Sequence, residues 1–246
     1  MSHVDRRRGF TLIELVLSMG FVSILMIAIA MTVIQISNIY NKGITLKEVN
    51  QTGRVIANEL QSTIASSTPF SVDPGVGDKY LNDKLGVVSR LIKQDWGGRL
   101  CLGRYSFVWN YGKAIYGGDK TKMNTYSDSS DQINLVKIYD PSNIYCVETS
   151  KKVIKNDAIE LLSSSQHSIA MHDIKITTDD VTAIDKKTGQ QLYSIELTLG
   201  TNDQNALMQN EESETVCKPP SEPGSDPSYC SVVKFNIAAR AGNALK

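Results

Sequence analysis

The 246-residue chain has no surplus of either charge: Lys and Arg number 26, and so do Asp and Glu. Neutralising phosphates requires cations concentrated in excess, so this balance removes the footprint of a nucleic-acid-binding domain as a whole. Histidine is scarce, at three residues, and the four cysteines include no C-x-x-C pair, which argues against a metal site of the zinc type. Neither G-x-S-x-G nor H-E-x-x-H occurs, and the nearest approach to a phosphate loop, Gly112 to Gly117, is followed by Gly118 where lysine is required. His167 and His172 are five apart on an expected strand, hence on opposite faces, and read as exposed or core histidines. Asp128 with Asp131, and Asp179 with Asp180, lack the ligand spacing of a calcium loop and read as solvated turns. The basic run Lys151, Lys152, Lys155 is balanced by Asp157 and Glu160 and reads as a solvated face. The chain is therefore read as no enzyme, with no cofactor and no metal. Proline is missing from the front, none preceding Pro69, so nothing there forbids a long helix.

What is present begins with an extreme segment. Composition is ordinary, 41% apolar and 21% charged, and the length suits one globular domain or one domain plus something else. From Gly9 to Asn41, however, the only ionisable side chains are Glu14 and Tyr40. Leu15 to Ile34 is uncharged and, as a helix, spans about 30 Å, the depth of a bilayer's hydrocarbon. Arg6, Arg7 and Arg8 stand just before it, so the positive-inside rule puts the N-terminus in the cytoplasm and the rest outside. All four cysteines then lie where disulfides persist. Cys217 and Cys230 enclose four of the seven prolines, and closing such a ring removes about 3 kcal/mol of unfolded-chain entropy in the simple model. That pairing is expected, and Cys101 with Cys146 follows by elimination.

Three readings of the N-terminus compete. A secretory signal has its basic region, apolar core and cleavage site in Arg6 to Arg8, Leu15 to Ile27 and Ala28-Ile29-Ala30. A plain anchor explains the length. Both leave Glu14 without a task, although a carboxylate at the centre of a span costs up to about 3 kcal/mol on insertion scales, and less near its end. The third starts from Arg8-Gly9-Phe10-Thr11-Leu12-Ile13-Glu14 and the apolar run behind it, which resemble the class III leader of type IV prepilins and type II secretion pseudopilins at every position of the family motif. The resemblance implies cleavage between Gly9 and Phe10 by a prepilin peptidase, N-methylation of Phe10, and pairing of Glu14 with the terminal amine of a neighbouring subunit during assembly. In the first turn of a helix Glu14 also faces the positive end of the dipole.

Beyond the span, Leu46, Val49, Gly53, Ile56, Leu60 and Ile64 recur at helical spacing with polar residues on the other faces, and SSTPFSVD predicts the helix end near Ser67. Gly20 and Gly43 are its soft spots. The segment Gln51 to Ile64 looks like the corresponding helix of PilW-like minor pilins and J-type minor pseudopilins.

Strands are expected at Cys101 to Trp109 with a turn at Asn110 to Lys113, and at Ile133–Tyr139, Ile144–Glu148, Ile169–Thr177, Leu192–Leu199 and Ser231–Ala238. A turn is read at Lys186 to Gly189 and a short helix between Lys79 and Lys93. Strands after helices without alternation argue α+β. The resemblance implies a pilin-like form: leader 1–9, transmembrane helix 10–40, amphipathic continuation 41–67 and a β-rich disulfide-bonded head, 68–246. It further implies a minor subunit of a type IV pilus or pseudopilus, priming assembly or sitting at the tip. Its partners would be other pilin subunits, the prepilin peptidase, an inner-membrane assembly platform and the lipid bilayer. Its location would be a single pass of the cytoplasmic membrane, then the cell surface. A secreted or anchored binding domain, a pseudopilin of protein secretion and an anchored enzyme remain as alternatives.

Overall fold

The computed structural model describes residues 10–70, 72, 89–117, 123–129, 131–142, 144–147, 152–162, 168–178 and 189–242. The leader, Asp179, Asp180, the turn at 186–188 and His167 lie outside the described residues.

Helix α1, Leu12–Ala65, is one element of 54 residues. Thr11 caps its start, and at its end Ser67 Oγ donates to Ile64 O (2.8 Å), just ahead of Pro69, which cannot continue a helix. Gly20 and Gly43 have open space where a Cβ would stand, and the helix runs unbroken through both. Every residue from 12 to 40 is exposed, and burial begins only beyond Tyr40. This half is long and apolar enough to cross a membrane.

In the second half Thr45, Val49, Gly53, Ile56, Leu60, Thr63 and Ile64 are buried, whereas Leu46, expected in the stripe, is 44% exposed. Thr45 takes its place because its hydroxyl donates to Asn41 O (3.0 Å), so burial leaves no polar group unsatisfied.

The head is built on two antiparallel sheets. Strands β1 Ser89–Gln94, β2 Gly97–Leu102, β3 Tyr105–Asn110, β4 Leu135–Tyr139 and β5 Ala158–Glu160 form a meander in sequence order. Strands β6 Ile169–Thr177, β7 Gln191–Thr201 and β10 Val232–Ala241 form the second, with β7 central. The hairpin β8 Leu207–Gln209 with β9 Thr215–Cys217 stands apart. A parallel bridge of Tyr111 with Met171 ties the sheets. Long N-terminal helix and β-rich head together make the architecture α+β.

One core cluster joins Ile56, Leu60 and Ile64 of α1 to Leu100, Phe107 and Trp109 of the first sheet and Tyr193, Ile195 and Leu197 of the second. A second, with Val108, Tyr126, Val136 and Ile138, fills the other face of the meander. Burial on both faces explains why β2 is buried at every position and lacks a polar alternation.

Four sequence expectations are corrected. Cys101 to Trp109 is two strands, because Gly103 adopts φ +80°, which few other residues tolerate, and the chain doubles back so that Cys101 faces Ser106. The expected turn at Asn110 to Lys113 leads into a six-residue helix, α2 Gly112–Gly117, which also disposes of a phosphate loop there. Ile144 to Val147 is a helical turn, α3, because Asp140 accepts from the amides of Ile144 (2.8 Å) and Tyr145 (3.2 Å) as a cap. Residues 89–93, expected to end a helix, are strand β1 in register with β2; residues 79–88 lie outside the described part.

Candidate functional site

At the start of α1, Glu14 is the only charged residue among residues 10–41. Thr11, in extended conformation, is the N-cap, and Glu14 is the third helical residue. Glu14 N donates to Thr11 Oγ1 (3.3 Å), while Thr11 N (2.9 Å) and Thr11 Oγ1 (2.8 Å) both donate to Glu14 Oε2. This reciprocal capping box satisfies amides that a helix start otherwise leaves open. Among the described residues, every hydrogen bond to this carboxylate ends on Oε2, so Oε1 is open to a further donor. Sequence reasoning placed Glu14 in the first turn but missed Thr11, although the T-x-x-E spacing is the signal for such a box.

Phe10, Ile13, Glu14, Leu17, Phe21 and Ile24 share one exposed face of the helix, as their spacing of three and four requires. Phe10 is 79% exposed. Glu14 is therefore the only charged point on an apolar stripe open to another helix. Gly9, the other half of the expected cleavage site, lies outside the described residues.

The head grips the rest of α1, and the segment that follows it, by specific contacts. Phe70 stacks on Tyr193 with centroids 4.1 Å apart. Phe70 N donates to Tyr193 Oη (2.6 Å), whose own proton has Phe70 O (2.6 Å) and Gln191 Oε1 (2.9 Å) as acceptors. Glu59 of α1 pairs with Lys137 of β4, whose ammonium also lies 4.0 Å above the Tyr105 ring. Gln61 Nε2 donates to Ala238 O (2.9 Å), and Asn41 Nδ2 to Tyr229 Oη (2.8 Å).

Cys217 and Cys230 are bonded, Cα atoms 5.9 Å apart, as their spacing predicted. Cys101 is fully buried and is itself a disulfide cysteine; the side chain of Cys146 lies outside the described part.

A groove of about 800 Å³ opens between β6, β7 and the β8–β9 hairpin. His172 reaches it because the β6–β7 register shifts there, a β-bulge between Met171 and Asp173. The ring of His172 lies 3.1 Å from Thr201 O, and burial pushes its pKa down. Both signs of charge line the groove: Lys234 pairs with Glu214 (2.6 Å), and Lys93 and Lys175 each lie 3.9 Å from Asp173. Among the described residues no three His, Cys, Asp or Glu side chains come together as a metal-ligand set.

Of the basic run, Lys152 and Lys155 are exposed, as a solvated face requires, and Lys151 lies outside the described residues. Lys155 pairs with Asp131, and its amide donates to Asp128 Oδ1 (3.0 Å). Glu160, expected to balance that run, is half-buried instead and accepts from Tyr126 Oη (2.9 Å) and Leu135 N (3.1 Å); burial raises its pKa.

Compared with protein-family models, curated proteins and solved structures, the chain matches none.

Proposed function

We propose that the chain is a minor prepilin, cut between Gly9 and Phe10, N-methylated on Phe10 and assembled through α1 into a type IV pilus or pseudopilus, where it primes assembly or sits at the tip. The observation that carries this reading is the build of α1. One unbroken helix presents an unpartnered apolar half, sets Glu14 at its third residue with one carboxylate oxygen open, and commits its other half to the head. A secretory signal would be cut away at Ala30, within the exposed half and far from the capping box. The proposed role uses both: the apolar stripe lies against neighbouring helices, and Glu14 receives a neighbour's terminal amine, which replaces part of the capping box by an ion pair in a medium without competing water. The head faces the extracytoplasmic side, as the three arginines before the span favour.

N-terminal sequencing and intact mass of protein from native membranes test the processing, and a Glu14→Val variant in a filament assay tests the carboxylate. A terminus at Phe10 bearing one extra methyl, with assembly lost in the variant, is the expected result. A terminus at Met1 or Met31 refutes the reading.

A further inference from the structure

Among the described residues, the direction of β10 fixes which part of the head lies nearest the span. Three contacts join it and the segment before it to α1: Asn41 with Tyr229, Gly53 with Phe235, and Gln61 with Ala238. From Asn41 to Gln61 a helix climbs about 30 Å, and from Tyr229 to Ala238 an extended chain climbs about 30 Å. Because the two rises match, β10 runs up alongside α1 from the end nearest the span. The Cys217–Cys230 loop feeds directly into that end.

The span sets the height of the loop. With Leu15 to Ile34 crossing the hydrocarbon, Asn41 stands about 10 Å beyond its edge, and the headgroup layer on each side is about 5–8 Å deep. The contact of Asn41 with Tyr229 is thus at the outer margin of the headgroups, and the exposed Tyr40 lies just beneath it. Tyrosine is favoured at that depth because its ring is apolar and its hydroxyl wet.

The loop is a rigid body. Besides its disulfide, Glu222 N donates to Pro219 O (3.0 Å), Ser225 N to Glu222 O (3.1 Å) and Cys230 N to Asp226 O (2.8 Å), while Lys218 Nζ donates to Pro223 O (3.2 Å). Its exposed residues are Pro219, Pro220, Ser221, Glu222, Pro223, Gly224, Pro227 and Tyr229. These include four prolines and one tyrosine but no long aliphatic side chain that would enter hydrocarbon, and no cationic cluster that would demand anionic lipid. Together with Lys42 on the adjoining turn of α1, they offer one charge of each sign.

We propose that the Cys217–Cys230 loop is a membrane foot that rests on zwitterionic phospholipid headgroups of the leaflet through which α1 leaves the bilayer. The foot rests on the reading of 15–34 as a transmembrane span. It gives the head a second contact with the membrane, so that the head stands at a fixed rotation about α1.

Depth-dependent quenching of tryptophan in the full chain, reconstituted in phosphatidylcholine vesicles, tests this. Tyr229→Trp and Ser221→Trp report on the loop and Phe21→Trp on the span, each read as the difference from the parent, which has two tryptophans of its own. Both loop variants are expected to be quenched about twofold more by a nitroxide on the lipid headgroup than by one at mid-chain, and Phe21→Trp the reverse. Quenching of Phe21→Trp by the mid-chain label with neither loop variant quenched overturns the foot and leaves the span standing. No quenching of Phe21→Trp overturns the span, and the foot falls with it. Among the described residues Ser221 makes no hydrogen bond to α1, so its variant keeps the test decisive if Tyr229→Trp weakens the contact with Asn41.

Discussion

Replacing Gly53 by alanine tests the seat of α1 on the head. In an isolated helix the change is favourable by about 1 kcal/mol, because glycine gives up more backbone freedom on folding. Here the new Cβ would fall 2.1, 2.2 and 2.9 Å from three atoms of the Phe235 ring. Contacts so short force the ring to move. Since Phe235 is half-buried, it swings aside and gives up part of its burial, and overpacking of this kind costs about 1–3 kcal/mol. The net result is a loss of about 1 kcal/mol. Phe235→Ala alone costs about 2 kcal/mol, less than the ~3–5 kcal/mol of a fully buried phenylalanine because the ring is only half-buried. Adding Gly53→Ala to it then restores about 1 kcal/mol, as the propensity gain is no longer opposed. The same substitution therefore changes sign with its background, a coupling of about 2 kcal/mol between the two positions. Urea denaturation of the four proteins in nanodiscs, followed by tryptophan fluorescence, measures the cycle. A Gly53→Ala variant that is stabilised in both backgrounds would refute the close approach of α1 to β10.

Tyr193→Phe keeps the ring stacked on Phe70 but leaves the buried amide of Phe70 without its acceptor, so a loss of about 2 kcal/mol is expected in the same denaturation assay; a loss below about 0.5 kcal/mol would refute the bonding described. Burial lowers the pKa of His172, so between that lowered value and about 6.5 the unfolded chain binds the proton and the folded one does not. Stability is then full above about pH 6.5 and declines as pH falls below it. His172→Gln is expected to reduce the drop in melting temperature between about pH 7.5 and about pH 5.5, and an equal drop in both proteins would refute the assignment.

The parts legible in the sequence were those ruled by one local pattern. An uncharged run of about 20 residues specifies a membrane-long helix whatever surrounds it, and the end of α1 was readable because serines and Pro69 follow at once. Strands β6, β7 and β10 were found from their β-branched residues. Misreadings came where a distant partner or one backbone angle decided. Ile92 ends a run at helical spacing, Leu81, Leu85, Val88 and Ile92, but the strand β1 that holds it lies along β2, and the positive φ of Gly103 divides β2 from β3. The capping box was in plain view as T-x-x-E, whereas the contact of Tyr229 with Asn41 joins residues 188 apart, beyond any local rule.

The parallel course of β10 and α1 bears on how the molecule carries force. A pull along the helix loads the contacts at Asn41, Gly53, Glu59 and Gln61 side by side, in shear, so that they must yield together and cannot be peeled apart in turn. Because α1 has no break at Gly20 or Gly43, tension applied to the head reaches the first turn with little loss to bending. Half of α1 is thus bonded along its length to the head, and the other half continues from it as the same unbroken helix.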